Sequence, residues 1–484
     1  MSSSPRSTCI RYFLFVAVGL LLNGCQRPPA PPPAPPAPRV PAQAKPADRK
    51  DCNVVFVSFD ALQAAHVGSL GYSRNVTPTI DAVARQGYSF SEARSVASWT
   101  VPASMSWFTG VYPSEHRMTN KYAIYNAQLK QPARLRELAP QLTTLAEVMK
   151  LNGYATGGFT GNAGVSGGFG YEQGFDKYFY EKQRFGSFDQ SVPKALEWLK
   201  EHQDEKFFLF LHGYDCHGQA TPEGGYDYRY VDKDYDGRFI GSVQEQEILR
   251  EEGLANGHVT LRDADVHFWR AIYDEKIARA DEKFRKFLAA FDALGLTDKT
   301  IFVLTSDHGT EFYEHRRFDH GFTLYDEQIH VPLIIKLPGK AGGRVIDERI
   351  SSIDVMPTIL DLAGIKLSEK VRMQLRGRSL VAEMEGQSAP RNLFSETDYR
   401  EYTFKRAIIT PDGWKLVHTL ETKTSELYHL PSDSAEAKNR VETEPERARE
   451  LEQMLFDFFR SIGHDLRHKS WEIGLNPVYN SQGK

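Results

Sequence analysis

A chain of 484 residues is long for one domain, and one large domain with a smaller companion is expected. Its 59 basic and 63 acidic side chains leave a formal net charge of -4 and are well mixed along the chain. A nucleic-acid partner would need a basic patch, so none is expected. Four cysteines do not make a disulfide framework.

The chain opens with Arg6 and Arg11 around an apolar run, Tyr12 to Leu22, that is too short for a comfortable membrane span. The run ends in Leu22-Asn23-Gly24-Cys25. This pattern resembles a bacterial lipoprotein signal over residues 1–25, with Cys25 as the lipidated first residue; an ordinary cleaved signal peptide is the alternative. Both imply export, and the first implies a lipid anchor in the cell envelope, on the periplasmic or outer-membrane side. Residues 26–50 are rich in Pro and Ala, and too poor in apolar side chains to pack, so an extended linker is expected. Cys52 begins one expected strand and Cys216 follows another. They would lie at opposite ends of a parallel sheet, which argues against a disulfide between them.

Val54 to Phe59 is an apolar, β-branched run ending at Asp60 and reads as a buried strand. Thr77-Pro78 starts a helix that Gly87 stops. Thr144 to Glu147 matches a capping box for a helix that Gly153 closes. Phe207 to Leu211 is a second buried strand. The stretch Tyr226 to Gly257 is polar and irregular and reads as an insertion near the site. Val266 to Leu294 predicts a long amphipathic helix with Phe284, Phe287, Leu288 and Phe291 on its buried stripe. Ile301 to Leu304 and Val331 to Leu337 complete the apolar strands. Further on, Arg406 to Thr410, Trp414 to His418 and Glu426 to His429 predict a small antiparallel sheet closed by a helix over Arg447 to Ile462. A catalytic domain over 51–385 and a C-terminal subdomain over 386–484 follow.

Alternating strands and helices predict an α/β fold with a mostly parallel sheet covered on both faces. Ligands in such sheets collect at the carboxyl ends of strands. Asp60, the segment His212 to His217, and Asp307-His308 all follow strands directly, so three segments deliver acidic or imidazole groups to one edge.

The ordered set Val55 to Asp60, Thr77-Pro78-Thr79-Ile80-Asp81, Thr109 to Pro113, Thr305-Ser306-Asp307-His308-Gly309, His320-Gly321, Val331-Pro332-Leu333 and Asp354 to Thr358 resembles the sulfatase family. Leu375 to Leu380, Glu426-Leu427-Tyr428 and Asn439 are similar to its C-terminal signatures. The resemblance covers roughly Asn53 to Phe459 and implies an alkaline-phosphatase-like core, hydrolysis of sulfate or phosphate esters, and one or two divalent cations. Asp60, Asp307 and His308 are the expected ligands, with the Thr100 oxygen beside the ion. An isolated strand-end Asp more often caps a turn, but two adjacent ligand types after a second buried strand suit a metal. Oxygen donors plus one imidazole suit calcium, zinc or manganese and do not choose among them. Gly309 is expected to let the backbone turn so that both side chains face the ion.

The sulfatase pattern opens its nucleophile motif with a cysteine or serine; here the matching stretch is Ser98-Trp99-Thr100-Val101-Pro102-Ala103-Ser104. Thr100 holds the nucleophile position and Ser104 replaces the arginine. Threonine cannot become formylglycine and would need activation by a metal. The other reading is that Thr100 only caps the helix that follows. A sulfated or phosphorylated threonine must be cleared by water attacking sulfur or phosphorus, a route natural for phosphorus. Ala61, Gln63 and Ala65 stand where the family often has acidic or basic groups, although His66 remains. Asn162 and Phe322 replace two lysines. Fewer cations fit a less charged ester, such as a diester, or a weakened enzyme. His217 and His320 are candidates to protonate the leaving oxygen; Asn162 and His116 are candidate substrate contacts. Tyr313, His315 and Tyr325 read as packing or surface residues.

The expected function is an exported, metal-dependent hydrolase acting through Thr100 on small-molecule, glycan or lipid esters. The alternatives are a non-catalytic binding protein on the same fold and a phosphoryl or phosphoethanolamine-type transferase. The sequence sets no oligomeric state.

Overall fold

Apolar runs that alternate side chains to two faces build an eight-stranded sheet. The computed structural model describes residues 52–467 except 119–124, 127–130, 133–137, 139–140, 168–169, 182–184, 219–220, 223, 340–341 and 400–402. The expected signal, the Cys25 anchor and the 26–50 linker lie outside the described residues. In chain order the sheet contains β1 (Asn53–Phe59), β2 (Tyr88–Arg94), β3 (Ala155–Thr160), β4 (Lys177–Tyr180), β5 (Phe207–Gly213) and β6 (Thr300–Thr305). A two-residue hairpin, β7 (Glu311–Phe312) and β8 (Phe318–Asp319), follows, and then β9 (Leu333–Lys336) and β10 (Arg344–Ser351) rejoin the sheet. Spatially the order is β10-β2-β9-β6-β1-β5-β3-β4. Neighbours pair in parallel except β9, which runs antiparallel to β2 and β6.

The central strands are buried on both faces. Val54, Phe56, Phe208, Phe210, Ile301 and Val303 enter one core; Val55, Val57, Phe59, Leu209, Leu211 and Leu304 enter the other. Helix α1 (Pro78–Ala84) covers the second face with the long α6 (Asp263–Ala293). Helix α2 (Thr100–Thr109) covers the first with α3 (Leu145–Leu151), sending Met105, Trp107 and Phe108 inward. On α6, Phe284, Phe287 and Phe291 are buried as expected, whereas Leu288 is only partly buried.

Beyond the large sheet, β11 (Leu393–Tyr399), β12 (Thr403–Ile409), β13 (Trp414–Thr419) and β14 (Thr424–His429) form an antiparallel meander. Helix α8 (Pro445–Ser461) closes it, packing Leu451, Leu455 and Phe459 on Ile408, Leu416 and Leu427. Helix α7 (Val355–Leu362) lies between the two sheets in sequence.

Two expectations change, and one strand was not expected. The stretch 226–257 is not irregular throughout: Val243–Asn256 is helix α5, opened by a Ser242–Glu245 capping box. Its mostly polar surface gave no apolar stripe to read. The strand expected from Val331 starts at Leu333, because Pro332 has no amide for the ladder. Strand β3 (Ala-Thr-Gly-Gly-Phe-Thr) lacks bulky β-formers because a side chain at Gly157 would come within 2.9 Å of the Trp198 ring on α4 (Phe188–Glu201). Cys52 and Cys216 are buried and no disulfide joins them, as expected. No helix among the described residues is long and apolar enough to cross a membrane.

Candidate active site

Strand register fixes the site. Ser58 of β1 lies opposite His212 of β5 and opposite Thr305 of β6. Asp60 and Asp307 therefore each stand two residues beyond the same rung, at the carboxyl edge of the sheet. The Asp60 amide donates to the Gly213 carbonyl at 3.2 Å, and the Ala61 amide donates to Asp307 Oδ1 at 3.1 Å. Ala61 takes a left-handed conformation (φ 62°) to turn its amide that way.

Ligand atoms of Asp60, Asp307 and His308 lie within 4.8 Å of one another, and all three residues are fully buried. Asp60 Oδ1 and Asp307 Oδ2 accept no hydrogen bond among the described residues. His308 Nδ1 donates to the Gly309 carbonyl at 2.7 Å, so the lone pair of the neutral ring is on Nε2. That Nε2 is 3.4 Å from Asp307 Oδ2 and 4.0 Å from Asp60 Oδ1. Burial, then the charge of Asp307, pushes the Asp60 carboxyl well above the usual range. For Asp307 burial acts in the same sense, but the His308 and His212 charges outweigh it and hold the group low. Two buried carboxylates with unpartnered oxygens, beside an imidazole lone pair, are a donor set that fits a divalent cation.

Thr100 is the first residue of α2, and Trp99, with no side-chain cap, precedes it. The threonine hydroxyl does not bond to the helix end. It donates to Asp60 Oδ2 at 3.3 Å and lies 3.3 Å from His308 Nε2, which overturns the capping alternative. The turn after β3 closes over it: a Cβ at Gly164 would sit 2.8 Å from Thr100 Cβ. Ser104, in the position of the expected arginine, is buried and its Oγ has no hydrogen-bond partner among the described residues.

His217 Nε2 is 4.0 Å from Asp60 Oδ1, and its ring stacks on Phe185 at 4.8 Å. The His320 ring lies 4.9 Å from that of His217 and stacks on His308 at 4.2 Å. The structure therefore gathers Thr100, Asp60, Asp307, His308, His217 and His320. Burial, then His320, holds His217 well below the usual imidazole range. Asn162 sits in the turn that backs Thr100, in a left-handed conformation (φ 75°). His116 is elsewhere. Buried under α2, it contacts Ser106 Oγ at 3.1 Å and the Pro102 carbonyl at 3.2 Å.

His212, already expected at this edge, closes on Asp60, and two residues not expected, Asp319 and Arg250, enter. His212 Nε2 lies 3.3 Å from Asp60 Oδ2, and burial lowers its pKa to about 4. The only sequence signal was an imidazole closing an apolar strand. Asp319 Oδ1 is 2.5 Å from His320 Nδ1, and Arg250 of α5 reaches Asp319 Oδ2 at 3.5 Å. Burial alone would raise Asp319, but His320 and Arg250 hold it well below the carboxylate range. Gly309 differs from expectation. Its φ is not left-handed; it is glycine because a Cβ would stand 2.1 Å from the Glu327 carbonyl oxygen.

A family model described as Sulfatase matches residues 52–365, and one described as N-sulphoglucosamine sulphohydrolase, C-terminal, matches residues 313–460. The chain is 23% identical over 379 residues to arylsulfatase K of Mus musculus, covering 71% of this chain and 65% of that protein. It is 25% identical over 443 residues to a delta 4,5-hexuronate-2-O-sulfatase of Bacteroides thetaiotaomicron, covering 82% of this chain and 85% of that protein. The crystal structure of a phosphonate monoester hydrolase of Agrobacterium radiobacter superposes with a TM-score of 0.65 at 19% identity, covering 85% and 96% of the two chains. The matches to the first curated relatives span less than two thirds of those proteins' lengths.

Proposed function

The chain belongs to the sulfatase family, and from that premise we propose that it is a metal-dependent hydrolase of sulfate or phosphate esters with Thr100 as nucleophile. The observation that carries the reading is Thr100 Oγ1, 3.3 Å from Asp60 Oδ2 and 3.3 Å from His308 Nε2 at the start of a helix. A divalent cation held by Asp60, Asp307 and His308 would acidify the hydroxyl beside it and draw charge from the ester oxygens.

The chain's own groups supply the rest. The N-terminus of α2 favours an anion next to Thr100. The Oγ1 proton passes to Asp60 Oδ2, to which the hydroxyl donates, as Oγ1 bonds to sulfur or phosphorus and the leaving oxygen departs with its electron pair. That oxygen takes a proton from the His217–His320 pair, and Asp319 stabilises the imidazole charge. Water then bonds to the same sulfur or phosphorus, the bond to Oγ1 breaks, and the threonine hydroxyl is restored. Because a substituted threonine cannot collapse to an aldehyde, this second step favours phosphorus. The fold itself is shared with a phosphonate monoester hydrolase.

The test is a parallel assay of nitrophenyl sulfate, nitrophenyl phosphate and a nitrophenyl phosphate diester with defined divalent cations. Turnover that needs the cation and vanishes in Thr100→Ala supports the reading; full activity of Thr100→Ala ends it. Cation binding with no turnover of any ester would identify a binding protein. Transfer to added alcohol in preference to water would identify a transferase. Export and lipidation at Cys25 are proposed on the sequence pattern alone; loss of lipid labelling in Cys25→Ser tests them.

A further inference from the structure

One helix braces both ends of the reaction centre. On α6, the Tyr273 hydroxyl donates to the Ala61 carbonyl at 2.6 Å and accepts from the Gln63 amide at 2.9 Å, which holds the turn after Asp60. Three residues on, Lys276 donates Nζ to the carbonyls of His217 and Gly218 at 3.0 and 2.9 Å. Residues at i and i+3 share a helix face. One turn of α6 therefore joins the turn after Asp60 to the turn that carries His217.

The His217 ring is enclosed. Phe185 stacks on it at 4.8 Å, and the rings of Tyr214 and His320 meet it edge-on at 5.2 and 4.9 Å. The His217 amide donates to the Tyr214 carbonyl at 3.0 Å, and a side chain at Gly218 would strike Gln246 of α5. With the ring walled in, the Lys276 contact fixes the freedom that remains, the carbonyl end of the turn. Lys276 is itself buried, and burial lowers its pKa to about 8. A buried cation costs more than an apolar side chain of similar length, so packing alone does not account for the charge.

Resting on the reading of His217 as a leaving-side residue, we propose that Lys276 is a positioning residue for the leaving-group proton. It holds His217, whose Nε2 is 4.0 Å from Asp60 Oδ1, where a proton can pass to the leaving oxygen. Lys276 acts through the histidine and makes no bond to the ester itself. Displacing such a group by about 1 Å can cost about a hundredfold in rate. The loss should fall on esters whose leaving oxygen needs the proton, since a nitrophenolate departs without one.

The test compares kcat/KM for a nitrophenyl ester and the unsubstituted phenyl ester in wild type, Lys276→Met, His217→Ala and the double variant. Lys276→Met keeps most of the side chain's length and removes its donor. Lys276→Gln, which keeps an N–H one bond short of the carbonyls, replaces it if Met does not fold. His217→Ala should lose at least about tenfold more on the phenyl ester than on the nitrophenyl ester, and Lys276→Met should do the same. Added to His217→Ala, Lys276→Met should cost less than about twofold more, because both act through one ring. Equal losses on the two esters, or multiplied losses in the double variant, overturn the proposal. Should no ester turn over, or His217→Ala show no such selectivity, the reading of the site fails separately. Crystal structures of wild type and Lys276→Met then decide. A His217 ring displaced by about 1 Å or more supports the positioning role, and coincident rings overturn it.

Discussion

Thr100 Oγ1 donates to Asp60 Oδ2 across 3.3 Å, although the two residues are 40 positions apart in the chain. The contact joins the end of the central strand to the start of the helix that covers it. It predicts a graded response to substitution. Thr100→Ser keeps a hydroxyl and should retain activity within about tenfold, whereas Thr100→Ala should lose about a thousandfold or more in kcat. Both variants should keep the wild-type melting temperature to within a few degrees. Steady-state kinetics with thermal melts checks this.

The Asp60–Asp307 pair predicts opposite effects on stability and function. Asp60→Asn removes one of two close buried carboxylates while its remaining oxygen can still accept from Thr100 and His212. With its folded pKa raised, ionised Asp60 destabilises the metal-free protein at neutral pH, so Asn should stabilise that form by on the order of 1 kcal/mol. The same variant should lose cation binding and activity. Urea unfolding in chelator, paired with cation titration, reads both.

Chelation should act on stability as well as rate. A cation that binds only the folded chain stabilises it by about 2.7 kcal/mol at a hundredfold excess over Kd. Melting temperature should therefore rise with cation concentration in wild type and stay flat in Asp307→Asn.

His116 gives a pH prediction remote from the Asp60, Asp307 and His308 cluster. Burial lowers its pKa to about 3, so the folded protein holds it neutral while the unfolded chain protonates it near pH 6.5. Between those values the unfolded state binds the extra proton. The His116 contribution is thus fully present above about pH 6.5 and is lost as pH falls towards 3, with a slope approaching about 1.4 kcal/mol per unit. Unfolding free energies across the acid range should fall less steeply for His116→Gln than for wild type, even if the variant is less stable at neutrality.

Gly164 tests how closely Thr100 must be placed. Its missing Cβ would contact Thr100 Cβ and Cγ2 at 2.8 Å. Gly164→Ala should displace the hydroxyl by a fraction of an ångström and lower kcat about ten- to a hundredfold, with little change in cation affinity. Cation titration and kinetics on one preparation separate the two effects.

The Asp60, Asp307 and His308 cluster was legible because parallel strands deliver their last residues to a common edge. Once Val54–Phe59 and Ile301–Leu304 read as buried strands, Asp60 and Asp307-His308 had to meet. Side chains that reach the site from elements without an apolar pattern were not legible. Asp319 lies on a two-residue strand, and Arg250 on a helix with too polar a surface to show a stripe. His212 closes a strand already read, yet its direction depends on the register with Ser58. His116 misled in the other direction: nearness to Thr100 in sequence put it under the helix rather than at its mouth. Gly309 was assigned a turn, whereas a carbonyl pressed against its Cα explains it.

Transfer of the group to Thr100 can be tested by trapping the substituted threonine. Protein is quenched in acid during turnover of a fast-leaving nitrophenyl ester, digested, and the peptide containing Thr100 analysed by mass spectrometry. A single added phosphoryl or sulfuryl group is expected on Thr100, absent from Thr100→Ala. A group found on another residue, or no adduct together with undiminished turnover by Thr100→Ala, would contradict it.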